Sequence, residues 1–285
     1  MRRWVAAPFE GTKEDGRLEE QRMSKKIVTL VAYYGKSKPI LLQNLILALQ
    51  KNIEQQIGSS KFEKYPLEQV HGTIIGLEGK PIDGVILNTN YLQASRIECQ
   101  INLPDVLNWA LTTNLLPLMI RIGGYDPSQA YPFASRNFHP YLRSFSIQGD
   151  IAVAMGWPVR KLSNGRTYYP MDIDDLRRSF NDYNVLHKYH KAETDIDNDF
   201  FFVLGNVRRD QLTRTDTMRL QRVMRDVLYR YKPVDIVIKP INLSLVVYTD
   251  PKLPPPPKSK VFPLSSFPIG PGGRPQIGKW KQWYK

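Results

Sequence analysis

A chain of 285 residues, 42% of them hydrophobic, is long enough for one large domain or two ordinary ones and can fill a sizeable core. Its single cysteine, Cys99, excludes an intrachain disulfide and fits a reducing compartment, so the cytoplasm is the expected location. The net charge of +13 is not spread evenly: residues 251–285 carry +7, residues 1–26 carry +2, and the +4 left between them is ordinary for a globular domain, which says little about a substrate.

The opening "MRRWVAAPFEG" is basic, but its apolar run is too short for a secretory signal. Residues 1–26 continue as a polar stretch without period and are expected to be a disordered extension. Met23, just before "SKKIVTLVAYYG", is an alternative start to Met1. From residue 27 the chain alternates. "IVTLVAYYG" reads as a strand, and Leu42, Leu45, Ile46, Leu49 and Ile53 form one stripe of a helix entered at Pro39. "ILLQNLILAL" in that helix is interrupted by Gln43 and Asn44, so no membrane span is expected. "VHGTIIGLEG" is a second strand, "LPDVLNWALTTN" a short helix, and "PLMIRIGGYD" a strand ending at two glycines.

The second half begins with the strand "GDIAVAMGWPV". A long helix is expected over "MDIDDLRRSFNDYNVLHKYHK", then a strand at "NDFFFVLGNVRR". The next helix, "DTMRLQRVMRDVLYRY", carries Met218, Leu220, Val223, Val227 and Leu228 near one side, and "VDIVIKPINLSLVVYTD" reads as one closing strand. Strand, helix, strand, helix, strand thus occurs twice, over about 27–124 and 150–248, and a duplication is the simplest explanation. The expected architecture is α+β: two lobes within residues 27–250 with a ligand cleft between them. Residues 251–285 contain nine prolines and read as a basic, extended tail.

His71 and Thr73 lie two residues apart on a strand and so share a face. With the duplicated element order, this His-x-Thr resembles the two-histidine (2H) phosphoesterase superfamily, which includes the RNA ligase-like and RNA 2′,3′-cyclic phosphodiesterases. The resemblance covers nearly all of residues 27–250. It implies that each half contributes one His-x-Thr or His-x-Ser to a central cleft, the histidines serving as general acid and base and the hydroxyls binding phosphate. His71 and Thr73 match the first motif. The second motif is degenerate, and two placements stay open: alignment on Gly76 and Gly205 puts Phe200 and Phe202 in its place, and the alternative puts Asn242 and Ser244 there. Neither placement supplies a second imidazole. The resemblance therefore implies an RNA- or nucleotide-binding protein with weak or no phosphodiesterase activity and no cofactor, with Tyr33, Tyr34 and Arg121 as candidates for a substitute acid. An intact phosphodiesterase is a further alternative.

Phe200 and Phe202 could offer a stacking surface or simply fill a core. His187 and His190, spaced i and i+3, lack a partner motif for a metal and read as a solvated helical face. His139 has no partner that the sequence identifies. In "GKWKQWYK", Trp280, Trp283 and Tyr284 alternate with lysines; they suit either RNA stacking or docking into a protein partner. An assembly protein that contacts its partner through this tail is thus the other functional class.

Overall fold

The computed structural model describes residues 26–285. The extension expected over residues 1–26, and with it Met23, lies outside the described residues but for Lys26. Fourteen strands follow in chain order: β1 (Ile27–Ala32), β2 (Phe62–Lys64), β3 (Gly72–Gly76), β4 (Gly79–Ile82), β5 (Val85–Asn88), β6 (Leu118–Ile122), β7 (Phe145–Gln148), β8 (Ile151–Pro158), β9 (Arg160–Lys161), β10 (Thr167–Tyr168), β11 (Phe200–Val207), β12 (Val234–Ile238), β13 (Leu243–Tyr248) and β14 (Lys260–Pro263). The helices are α1 (Ile40–Ile57), α2 (Thr89–Ala94), α3 (Leu103–Thr112), α4 (Pro140–Arg143), α5 (Asp172–Arg178) and α6 (Arg214–Arg230). The class is α+β, as expected.

The main antiparallel sheet runs in the order β12-β6-β8-β11-β3-β1-β13-β14, with β2 beside β11 and β7 beside β8, and β4-β5 and β9-β10 form two small hairpin sheets. Alternation along its strands sorts side chains onto two faces. One face, with Leu30, Ile74, Phe200, Phe202 and Leu204, packs on α1, α3, α5 and α6 in the main core. The other carries two smaller clusters, Val31 with Tyr34 and Val246 on one side, and Val153, Met155 and Trp157 with Tyr125 on the other.

Each of the two central strands bears a β-bulge. Val31 pairs with Thr73 and Leu30 with Ile75, which leaves Ile74 as the extra residue of β3. Val153 pairs with Val203 and Ala152 with Gly205, which leaves Leu204 as the extra residue of β11. A bulge disrupts ladder hydrogen bonds, and the carbonyl of each extra residue accepts from a buried helical side chain, that of Leu204 from the Tyr65 amide as well. Arg177 of α5 donates through Nε to the Ile74 carbonyl at 2.9 Å, while Gln50 of α1 donates through Nε2 to the Leu204 carbonyl at 2.9 Å. The helix that follows β1 thus serves the bulge of β11, and the helix that follows β8 serves the bulge of β3.

Four sequence expectations need correction. The long helix expected after β8 stops at Arg178, continues as one 3-10 turn to Tyr183, and ends at Asn184, whose φ of 62° is left-handed. His187 and His190 consequently lie beyond any helix, and both are buried; His190 Nε2 is 2.9 Å from Asp174 Oδ1. The single closing strand is two strands, because Pro240 sits in a 3-10 turn between β12 and β13 and the two go to distant places in the sheet. On α6 the buried stripe is Thr217, Leu220, Met224 and Leu228, and Met218 is exposed.

The proline-rich segment is extended but does not project from the domain. Its β14 extends the sheet against β13, and Trp280 and Tyr284 are buried in the main core. The Tyr284 ring covers Gly79, where a Cβ would come within 2.7 Å of it, and Trp283 stacks on Phe262 at 4.6 Å between ring centroids. Burying an apolar side chain of this size contributes roughly 2 kcal/mol. Trp280→Ala is accordingly expected to destabilise the fold by about 2 kcal/mol, measurable by urea denaturation; an unchanged midpoint would mean that the terminus does not dock.

Candidate functional site

Between the two smaller clusters the open face of the sheet forms a cavity of about 240 Å³. Its floor is His71, immediately before β3, and Thr73 within it, Phe201 and Val203 from β11, and Met155 from β8. These side chains share a face because β3 and β11 are antiparallel with Gly72 opposite Phe202. Arg136, Lys188, Tyr189, Asp197 and Asp199 come from loops and Arg143 from the end of α4 on one side, and Lys252 from the strap that follows β13 on the other.

Phe200 and Phe202 do not line this cavity. They lie on the opposite face, 0% and 1% exposed, and the Phe200 ring packs so closely on Gly72 that a Cβ there would collide with it. The bulges explain why the sequence alignment missed by one residue. Thr73, Ile74 and Ile75 occupy on β3 the places that Val203, Leu204 and Gly205 occupy on β11, so His71 corresponds to Phe201 and Thr73 to Val203. Gly76 and Gly205, on which the alignment rested, are not equivalent. The alternative placement fails as well: Asn242 caps its own 3-10 turn by accepting from the Lys239 amide at 2.9 Å, and Ser244 is buried opposite Val31, two strands from His71. Phe201 is the aromatic residue that reaches the site.

His71 is held in one orientation. Its Nδ1 lies 2.6 Å from the Gln69 carbonyl; a carbonyl only accepts, so Nδ1 carries the proton and Nε2 presents a lone pair. Burial, with the Lys38 cation acting in the same direction and the Gln69 hydrogen bond opposing, lowers the pKa of His71 from 6.5 to about 4. The imidazole is neutral at pH 7, an acceptor of protons and hydrogen bonds rather than an acid. Tyr34 packs against it at 5.4 Å between ring centroids and donates its hydroxyl to the carbonyls of Leu253 and Pro254 in the strap. Gln69 completes the tie by donating from Nε2 to the Lys252 carbonyl at 2.6 Å. Of the three residues considered as substitute acids, Tyr34 alone adjoins His71. Burial raises its pKa to about 12, too high for an efficient acid at neutral pH. Tyr33 bonds the Val237 carbonyl, and Arg121 forms a bidentate pair with Asp235.

The two carboxylates of the wall are largely satisfied from within the protein. Asp199 accepts from Ser135 at 2.7 Å, from the Trp157 indole at 2.7 Å and from Arg143 at 3.1 Å. Asp197 pairs with the buried Arg177 at 2.9 Å. Arg136 reaches these carboxylates only at 3.9 Å, and Lys188 lies over the face of Tyr189, 4.8 Å from its ring centroid. Both cations thus keep donors for an anion at the mouth. No spacing pattern marks these wall residues in the sequence, since they come from the connections between β6 and β7, which include the short α4, and between α5 and β11.

No group of three or more metal-binding side chains occurs among the described residues, and none of their helices is long and apolar enough to cross a membrane. His139, without a partner in the sequence reading, lies outside the site: its Nδ1 accepts from the Tyr141 amide at 3.2 Å and its Nε2 approaches the Gln129 carbonyl at 2.8 Å.

No family model and no curated protein matches the chain. Among solved structures, TT0787 of Thermus thermophilus is similar at 11% identity and a TM-score of 0.34, covering 87% of this chain and 92% of its own. A conserved protein of unknown function, ATU0111 from Agrobacterium tumefaciens, is similar at 12% identity and a TM-score of 0.34, covering 75% and 81%. Likenesses of this strength assign neither fold nor function.

Proposed function

We propose that the protein is a duplicated, bilobal 2H phosphoesterase-like domain that binds the phosphate of an RNA or nucleotide in this cavity, with weak or no phosphodiesterase activity. The observation that carries the reading is the pair His71 and Thr73 on the cavity floor, facing Phe201 and Val203 at the register-equivalent places. The matched bulges, each served by a helix from the other half, support a duplication. The surroundings support an anionic, aromatic ligand: Arg136 and Lys188 stand at the mouth, and Phe201 brings an aromatic ring to the floor. One histidine without an acidic partner supports binding over turnover. The rival reading, an assembly protein contacting a partner through its tail, loses its premise, because Trp280 and Tyr284 are buried against their own domain.

The test is binding of a short fluorescent RNA ending in a 3′-phosphate, followed by anisotropy. Replacing both Arg136 and Lys188 with glutamine is expected to weaken binding about tenfold and to flatten its salt dependence, by about 0.7 in logarithmic slope for each phosphate no longer neutralised. An affinity unaffected by the double substitution would remove the cavity from consideration.

A further inference from the structure

The hydrogen-bonding character of His71 narrows the ligand further. Resting on the nucleotide reading above, we propose that the cavity recognises a phosphomonoester flanked by a free hydroxyl, as at an RNA end carrying a 2′- or 3′-phosphate, in preference to the 2′,3′-cyclic diester.

The tautomer of His71 sets the requirement. The 2.6 Å contact from Nδ1 to the Gln69 carbonyl fixes Nε2 as an acceptor, and an acceptor needs a donor. A phosphate dianion has none to offer. In a cyclic phosphate both ribose oxygens are esterified, so it leaves Nε2 facing only acceptors, at the desolvation cost of an unpaired lone pair. A monoester at one ribose position leaves the neighbouring hydroxyl free. It can donate to Nε2 while the phosphate takes its bonds from the Thr73 hydroxyl on the same face and from Arg136 and Lys188 at the mouth.

The surroundings keep His71 from switching roles. Lys38 is buried and donates to the Gly35 carbonyl at 2.6 Å, and its charge disfavours a second proton on the imidazole. Of the carboxylates of the same cavity, Asp199 is committed to Ser135, Trp157 and Arg143, and Asp197 is paired through Oδ2 with Arg177. The Nε2 of His71 is thus an acceptor in the cavity with no partner from the protein, on the same face as the Thr73 hydroxyl.

Calorimetry with three ligands tests this: adenosine 3′-monophosphate, 2′-deoxyadenosine 3′-monophosphate and adenosine 2′,3′-cyclic phosphate. The first two carry the same phosphate charge and differ only in the hydroxyl. The ribonucleotide is expected to bind about tenfold tighter than its deoxy counterpart, as one hydrogen bond allows, and tighter than the cyclic diester. In His71→Phe the ratio between the ribo and deoxy ligands falls to about one. Equal affinities in the wild type, a preference for the cyclic ligand, or a ratio that survives in His71→Phe would each overturn the inference while leaving nucleotide binding intact. Binding of none of the three would overturn the nucleotide reading itself, and this inference with it. The wild-type comparison needs no variant, so a His71→Phe protein that failed to fold would not rescue the proposal.

Discussion

Replacing Arg177 with methionine is expected to destabilise the fold by about 3 to 5 kcal/mol, the cost of removing one partner of a buried ion pair. The guanidinium is 1% exposed and makes five hydrogen bonds. It donates to the carbonyls of Thr73 and Ile74, to the carbonyls of Asp197 and Asp199, and to the Asp197 carboxylate. Methionine fills much of the volume but leaves a buried carboxylate without its cation and two bulge carbonyls without a donor. At 2 to 4 °C per kcal/mol for a domain of this size, the melting temperature falls by on the order of 10 °C. Gln50→Leu, which removes the side-chain donor to the Tyr65 and Leu204 carbonyls but leaves Leu204 its bond from the Tyr65 amide and exposes no charge, is expected to cost less, about 1 to 3 kcal/mol. A loss below about 1 kcal/mol in Arg177→Met would show that the bulge of β3 does not depend on this side chain.

The second large effect concerns catalysis. If the cavity descends from a two-histidine centre, installing the missing pair by Phe201→His with Val203→Thr should raise hydrolysis of adenosine 2′,3′-cyclic phosphate by at least about 10²-fold over the wild type, the usual contribution of one general acid or base. The gain should vanish when His71→Ala is added. The same substitutions at Phe200 and Phe202 would place polar groups in the core and yield no activity. Wild-type turnover at about 1 to 10³ per second would contradict the reading at once, because it would require an acid other than a second histidine.

Much of the element order was legible because its signals are local. The apolar stripe of α1 matches its buried face residue for residue, except for Gln50, a polar residue whose burial is explained by its bonds to the Tyr65 and Leu204 carbonyls. His71 and Thr73 were legible for the same reason, since residues i and i+2 of a strand share a face. The residues at the register-equivalent places on β11 were not. A bulge shifts register by one residue and so exchanges the two faces of a strand, and nothing in "FFFVLG" announces which of its residues is the extra one. Aligning two glycines therefore chose the core-facing phenylalanines. Gly205 is needed for another reason: it adopts a φ of 156° and lies against the backbone of β2, where a Cβ would approach the Glu63 carbonyl to 2.4 Å. The docked terminus was missed because proline content predicts an extended backbone but not whether that backbone has a surface to lie on. The end of α5 was missed because apolar residues continue beyond Asn184 into the buried turn at Val185 and Leu186.

The strand order has a consequence for how the chain can be assembled. β1 is paired along its whole length with β13, Ile27 against Tyr248, whereas β6, from the first half of the chain, goes to the far side of the sheet between β8 and β12. Neither half closes its own part of the sheet, so a nascent chain that has delivered only the first half still has one edge of β1 unpaired. Productive pairing waits for synthesis to pass Tyr248, and contacts of such long range make for slow folding. Fragments divided between β6 and β7 should not fold separately; mixed together, they should recover structure only as a noncovalent complex, with second-order kinetics.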